Sequence, residues 1–91
     1  MSFERIGWPL HAQRRLAERG ITVADVENTI RLPDQRMPDA RRPGRWIAQK
    51  REDLSGRSML LRVFYADAGG GDVVVVSAYR TTQIARYWRT D

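Results

Sequence analysis

Between residues 45 and 80 the chain alternates three stretches rich in branched and aromatic side chains with two turn signals. That pattern constrains the fold more than anything else in the sequence. The stretches are RWIAQKR (45–51), SMLLRVFYA (58–66) and VVVVSAYR (73–80). Their side chains suit a pleated, half-buried surface. Ser55-Gly56 lies between the first two, and a two-residue connection containing glycine favours a tight hairpin. DAGGGD joins the second pair more loosely. An antiparallel meander of three strands is expected, with room for a fourth. Pairing Leu54 with Arg57 sets Lys50 opposite Leu61 and Trp46 opposite Tyr65. A second turn centred near Gly70 sets Val63 opposite Ser77 and Leu61 opposite Tyr79. One face then carries Trp46, Ala48, Lys50, Leu61, Val63, Tyr65, Ser77 and Tyr79. The other carries Ile47, Gln49, Leu60, Arg62, Phe64, Val76, Ala78 and Arg80. Slipping either turn by one residue exchanges the faces of a strand.

Two helices are expected before the meander. Pro9 suits a helix start, where its missing N–H costs nothing. LHAQRRLAER (10–19) follows and stops at Gly20, a good left-handed terminator. Leu10, Leu16 and Ala17 are the expected buried strip. Thr22 with Asp25 three residues later reads as a capping box, and Ile21 with Val26 as the apolar staple beside it. Val23, Val26 and Ile30 recur at helical spacing, and Pro33 ends the run. Residues 33–44 (PDQRMPDARRPG) hold three prolines and no periodicity, which reads as an exposed loop. TTQIARYW (81–88) is either a short last helix capped by threonine or a coil. The expectation is an α+β fold: an N-terminal helical hairpin on one face of the meander, with a short C-terminal helix.

Ninety-one residues make one small domain. The chain has no cysteine and one histidine, which argues against a disulfide framework and a metal centre, and no cofactor motif is present. No apolar run approaches a membrane span, and MSFERIGW is unlike a signal or transit peptide, so a cytoplasmic protein is expected. The formal net charge is +5, and Lys50 is the single lysine among sixteen basic residues. Arginine forks match phosphate and carboxylate bidentately, so this charge favours a polyanion or an acidic partner. MPDARRPGR is a basic segment able to follow either one.

HAQRRLAERGITVADVENTI, with LLRVFYA and VVVVSAYRTTQIARYW, resembles a family of small bacterial proteins classed as a domain of unknown function. That family carries His-x-x-x-Arg on its first helix and a valine strand running into Tyr-Arg. The tail is similar to BrnT toxins, and both groups are relatives of RelE-like ribonuclease toxins of the barnase/EndoU/colicin/RelE-like fold. The resemblance implies a RelE-like domain, a metal-independent endoribonuclease and a cognate antitoxin.

Metal-free RNA cleavage needs a base for the 2′-OH, an acid for the 5′-oxygen and cations around the phosphorane. His11, in the first helical turn, is assigned the general base, with Arg15 four residues on along the same face. Arg15 and Arg80 hold the scissile phosphate, and Tyr79 or Lys50 stands near the leaving oxygen. Arg14, Arg62, Ser77 and Thr81 are further phosphate contacts. Arg62 interrupts an apolar strand and needs a partner: Asp67, Asp72 or a ligand phosphate. Trp8, Trp46 and Trp88 are core side chains or base platforms. RNA is the expected ligand, and an acidic antitoxin the expected protein partner. Two other readings share the same residues: a non-catalytic nucleic-acid-binding module, and an interaction domain for an acidic protein.

Overall fold

The computed structural model describes residues 3–90. The element order is β1 (Ile6–Gly7), α1 (Leu10–Glu18), α2 (Val23–Arg31), β2 (Gln35–Pro38), β3 (Arg45–Leu54), β4 (Arg57–Gly69), β5 (Asp72–Thr81) and α3 (Ile84–Tyr87). The fold is α+β, and the three-stranded meander is the centre of a five-stranded mixed sheet in the order β1-β5-β4-β3-β2. The two added strands correct the expected three- or four-stranded sheet. β1 is two residues long and runs parallel to β5. β2 pairs antiparallel with β3 inside the stretch expected to be loop. Its Pro38 is tolerated because β2 is an edge strand.

Both helix boundaries follow from local chemistry. Gly20, at φ +66°, closes α1. The Gly20 and Ile21 N–H groups donate to Ala17 and Leu16 carbonyls at 3.2 and 2.9 Å, a Schellman arrangement. Thr22 and Asp25 form the expected capping box at the start of α2. The Asp25 N–H donates to Thr22 Oγ1 at 3.1 Å, and the Thr22 N–H to Asp25 Oδ2 at 3.3 Å. The buried strip of α1 is Ala12 and Leu16, whereas Leu10 is 61% exposed and Ala17 faces solvent. Val23 is likewise exposed, leaving Val26 and Ile30 to anchor α2.

The β3–β4 register is as expected, with Leu54 opposite Arg57, Lys50 opposite Leu61 and Trp46 opposite Tyr65. Ser55 and Gly56 both have positive φ, which a two-residue hairpin of this hand requires. After an irregularity between Asp67 and Gly69, the β4–β5 register runs as expected as far as Tyr65 opposite Val75. Beyond that point Phe64 pairs with Ser77, so Val76 is an extra residue. This bulge corrects the expected register: Val63 lies opposite Ala78 and Leu61 opposite Arg80. Ser77 and Tyr79 therefore exchange faces with Ala78 and Arg80.

α1 packs over β5 and α2 over β3 and β4, all on one sheet face. The core there joins Ala12, Leu16, Ile21, Val26 and Ile30 to Ala48, Leu61, Val63, Tyr65, Val73, Val75 and Ala78. The opposite face presents Ile47, Gln49, Arg62, Phe64 and Tyr79. Its cover is light: α3 and the residues after it. The Gln49 amide donates to the Tyr87 carbonyl at 3.0 Å, and Gln35 exchanges hydrogen bonds with the Arg89 backbone. No helix among the described residues is long and apolar enough to cross a membrane.

Candidate nucleic-acid interface

The bulge at Val76 separates two arginines that pattern alone put on one face. Arg80 points to the helix side. Its Nε donates to Glu52 Oε1 at 3.0 Å and its Nη2 to Asp25 Oδ2 at 3.1 Å. The guanidinium thus ties β3, β5 and the first turn of α2 together. Burial alone would raise the Asp25 pKa. The Thr22 hydroxyl and backbone N–H and the Arg80 charge outweigh it and hold the carboxyl below its usual 3.8.

Arg62 points to the lightly covered side and is only 7% exposed. Its Nε donates to Gln49 Oε1 at 3.0 Å and its Nη1 to the Tyr79 hydroxyl at 2.7 Å. The Tyr87 ring covers the guanidinium at 4.1 Å. Phe64 and Tyr79 stack beside it, with centroids 6.0 Å apart and planes 19° from parallel. Burial pushes the Tyr79 phenol up, and the Tyr87 hydroxyl adds to the shift against the opposing Arg62 charge. The phenol therefore stays protonated at neutral pH.

Two adjoining hollows open over this floor, about 460 and 370 Å³ in volume. They share Asp39, Arg41, Phe64 and Tyr79, so they adjoin on one face, and together they make up the groove. One end is walled by Arg62, Arg86, Tyr87, Trp88 and Arg89. The other is walled by Arg15, Arg19, Arg42, Arg45 and Ser77. Asp39 is the sole carboxylate among these described lining residues. Arg19 Nη1 spans from α1 to the Ala78 carbonyl at 2.7 Å and Ser77 Oγ at 3.3 Å, so helix and strand share one wall.

Of the residues singled out from sequence, the groove brings together Arg15, Arg62, Ser77, Tyr79 and Trp88, with Arg41, Arg42 and Arg45 of the basic segment. Lys50 and Arg80 lie in one cross-strand row with Leu61 on the helix face, away from Tyr79. The Thr81 hydroxyl accepts from the Gln83 N–H at 3.0 Å, and Gln83 itself caps α3. His11 and Arg14 are exposed on α1 outside the groove lining. His11, Arg15 and Arg19 follow one another at four-residue steps, about 6 Å each along the helix. His11 is therefore about two turns from Arg19, the C-cap of α1, which meets β5 beside Tyr79. Tyr79 lines the groove and His11 does not. Arg62 is partnered by Gln49 and Tyr79, not by Asp67, which accepts from the Trp46 indole at 3.2 Å.

Sequence reasoning missed Arg19, Phe64, Arg86 and Tyr87. The signal for Arg19 was its place four residues after Arg15 on one stripe. The others needed the bulge and the folded-back tail. No group of three metal-ligating side chains occurs among the described residues.

The profile of a family described as "Domain of unknown function (DUF4258)" matches residues 8–83. No curated protein matches the chain. No solved structure does either.

Proposed function

The chain belongs to the DUF4258 family, and we propose from its own geometry that it binds single-stranded RNA along the arginine-walled groove. The observation that carries this reading is the Phe64–Tyr79 stack lying beneath arginines from α1, the 39–45 loop and the C-terminal segment. Cations at the rim neutralise phosphates, and aromatic rings receive unstacked bases. A double helix keeps its bases stacked on one another and has no use for the aromatic floor. An acidic protein would meet the arginines yet leave that floor without a matching ligand.

The reading extends to a metal-independent endoribonuclease of RelE-like fold acting as a toxin. What favours it is the His11–Arg15–Arg19 stripe, which leads from the groove to the one imidazole of the chain. A strand following that stripe presents a phosphate to Arg15 and its 2′-OH to His11. His11 takes the 2′-OH proton, the 2′-oxygen bonds to phosphorus, and the bond to the 5′-oxygen breaks. The products are a 2′,3′-cyclic phosphate and a 5′-OH end. His11 then returns its proton, so one imidazole serves as base and acid in turn. Arg80 and Lys50 have no part in this version. An acidic antitoxin segment would inhibit by occupying the same arginines.

The test is purified protein with total RNA in the presence and absence of EDTA. Cleavage insensitive to EDTA, giving cyclic phosphate ends and lost in His11→Ala, is expected. Binding without cleavage would leave an RNA-binding module. Absence of binding at low salt would remove the RNA reading altogether.

A further inference from the structure

The guanidinium of Arg62 is nearly buried, yet its partners are neutral: an amide oxygen, a phenol oxygen and ring faces. Among the described residues no carboxylate lies within 4.0 Å of it. Burying a cation without a counterion is costly, and cation–π contacts and two hydrogen bonds offset only part of that cost. A guanidinium has five N–H donors. Two are used, and the remaining ones, on Nη1 and Nη2, have no acceptor among the described residues. Arg62 also lines the larger hollow, so these donors sit where a ligand can enter. Among the described lining residues, Arg41, Arg86 and Arg89 wall the same hollow against the single carboxylate of Asp39. Four guanidiniums and one carboxylate leave a local charge of about +3, counting formal charges alone.

We propose that the hollow over Arg62 takes the dianionic phosphate of a phosphomonoester, so that the groove recognises the phosphorylated end of an RNA strand or a nucleotide. A phosphodiester carries one negative charge and has substituents on both sides. A terminal phosphate carries nearly two, offers three oxygens to the free donors and enters with one substituent trailing. Phe64, Tyr79 and Tyr87 then flank the position of the terminal nucleoside. The inference rests on the RNA reading for the polymer but not for the phosphate, and the experiment separates the two.

Short RNA oligomers of one sequence, bearing a 5′-phosphate, a 3′-phosphate or neither, are titrated against the wild-type protein at fixed ionic strength. Adenosine 5′-monophosphate and adenosine are titrated alongside. One phosphorylated oligomer is expected to bind about tenfold or more tightly than the unphosphorylated one, the size of one charge-assisted contact. The ratio should collapse to about one in Arg62→Met. A wild-type ratio near one, or a preference that survives in Arg62→Met, overturns the proposal. If no oligomer binds but the nucleotide does, and adenosine does not, the phosphate site stands and the RNA reading falls. If Arg62→Met does not fold, Arg62→Lys carries the test. It keeps the charge but loses the fork, so the preference should shrink several-fold; an unchanged preference overturns the proposal.

Discussion

Arg62 and Arg80 are diagonal neighbours on adjacent strands, yet they meet opposite electrostatic surroundings. Arg80 reaches two carboxylates at 3.0 and 3.1 Å, one from β3 and one from α2. Arg62, the more buried of the two, has a glutamine, a tyrosine and aromatic faces. Arg80 is thus partnered by carboxylates on the helix side of the sheet, whereas Arg62 has none within salt-bridge distance among the described residues and has further arginines around it. A charge that is fully partnered within the chain contributes to folding. One left without a counterion favours a ligand that brings one. The difference supports the proposal that the lightly covered face is the binding face.

Methionine at each position breaks the comparison most severely. Arg80→Met leaves Asp25 and Glu52 without their shared cation in a partly buried site. It should cost about 2–3 kcal/mol. At about 4–8 °C per kcal/mol for a domain of this size, the Tm should fall by roughly 10–20 °C. Arg62→Met removes a buried charge that has no ionic partner among the described residues. It also leaves the buried Gln49 Oε1 without its donor, so its Tm in phosphate-free buffer should fall by less than that of Arg80→Met. Thermal melts of the two variants side by side check both. Equal losses would mean that the two arginines are structural in the same way.

The capping box gives a smaller effect on the helix side. Thr22→Ala removes the acceptor for the Asp25 N–H, and about 1 kcal/mol of stability should go with it. Denaturant titration should show a lower midpoint with an unchanged slope.

Acid sharpens the same contrast with the least effect. The Asp25 carboxyl titrates lower in the folded chain than its ordinary 3.8. A depressed carboxyl contributes stability that is present above the unfolded pKa and lost as pH falls through the folded one. Wild type should therefore lose part of its stability as pH drops below about 4. Asp25→Asn should be less stable at neutral pH and show a flatter acid limb. Identical acid limbs would detach Asp25 from the Arg80 clamp.

The parts legible in sequence were those set by local chemistry. Gly20 and the Thr22/Asp25 pair mark the helix ends because their backbone partners lie within a few residues. Ser55-Gly56 sets the first hairpin register because a two-residue turn leaves no slack. Leu10 misled because an apolar residue at a helix start need not face the core. β1 and β2 were too short to show alternation, and both exist through the neighbouring strands that supply their hydrogen-bond partners. The extra residue at Val76 has no signature in VVVVSAYR, since four valines fit either face equally well. That single bulge decides whether Tyr79 or Arg80 joins Arg62. Arg15, Arg62, Ser77 and Tyr79 could be named in advance, but their convergence could not. Arg19, Arg86 and Tyr87 joined them only once α1 and the C-terminal segment were in place.

The central claim, that the arginine-walled face receives single-stranded RNA, is tested most directly by the salt dependence of binding. Fluorescence anisotropy of a labelled single-stranded RNA gives log K against log salt for wild type and for Arg15→Ala combined with Arg41→Ala. Each lost phosphate contact should make the slope shallower by about 0.7, so the double variant should differ by about 1.4. Arg5→Ala combined with Arg57→Ala, which removes as much charge outside the groove lining, should leave the slope at the wild-type value. Equal slopes for all three proteins, or equal flattening by both pairs, would contradict binding in the groove.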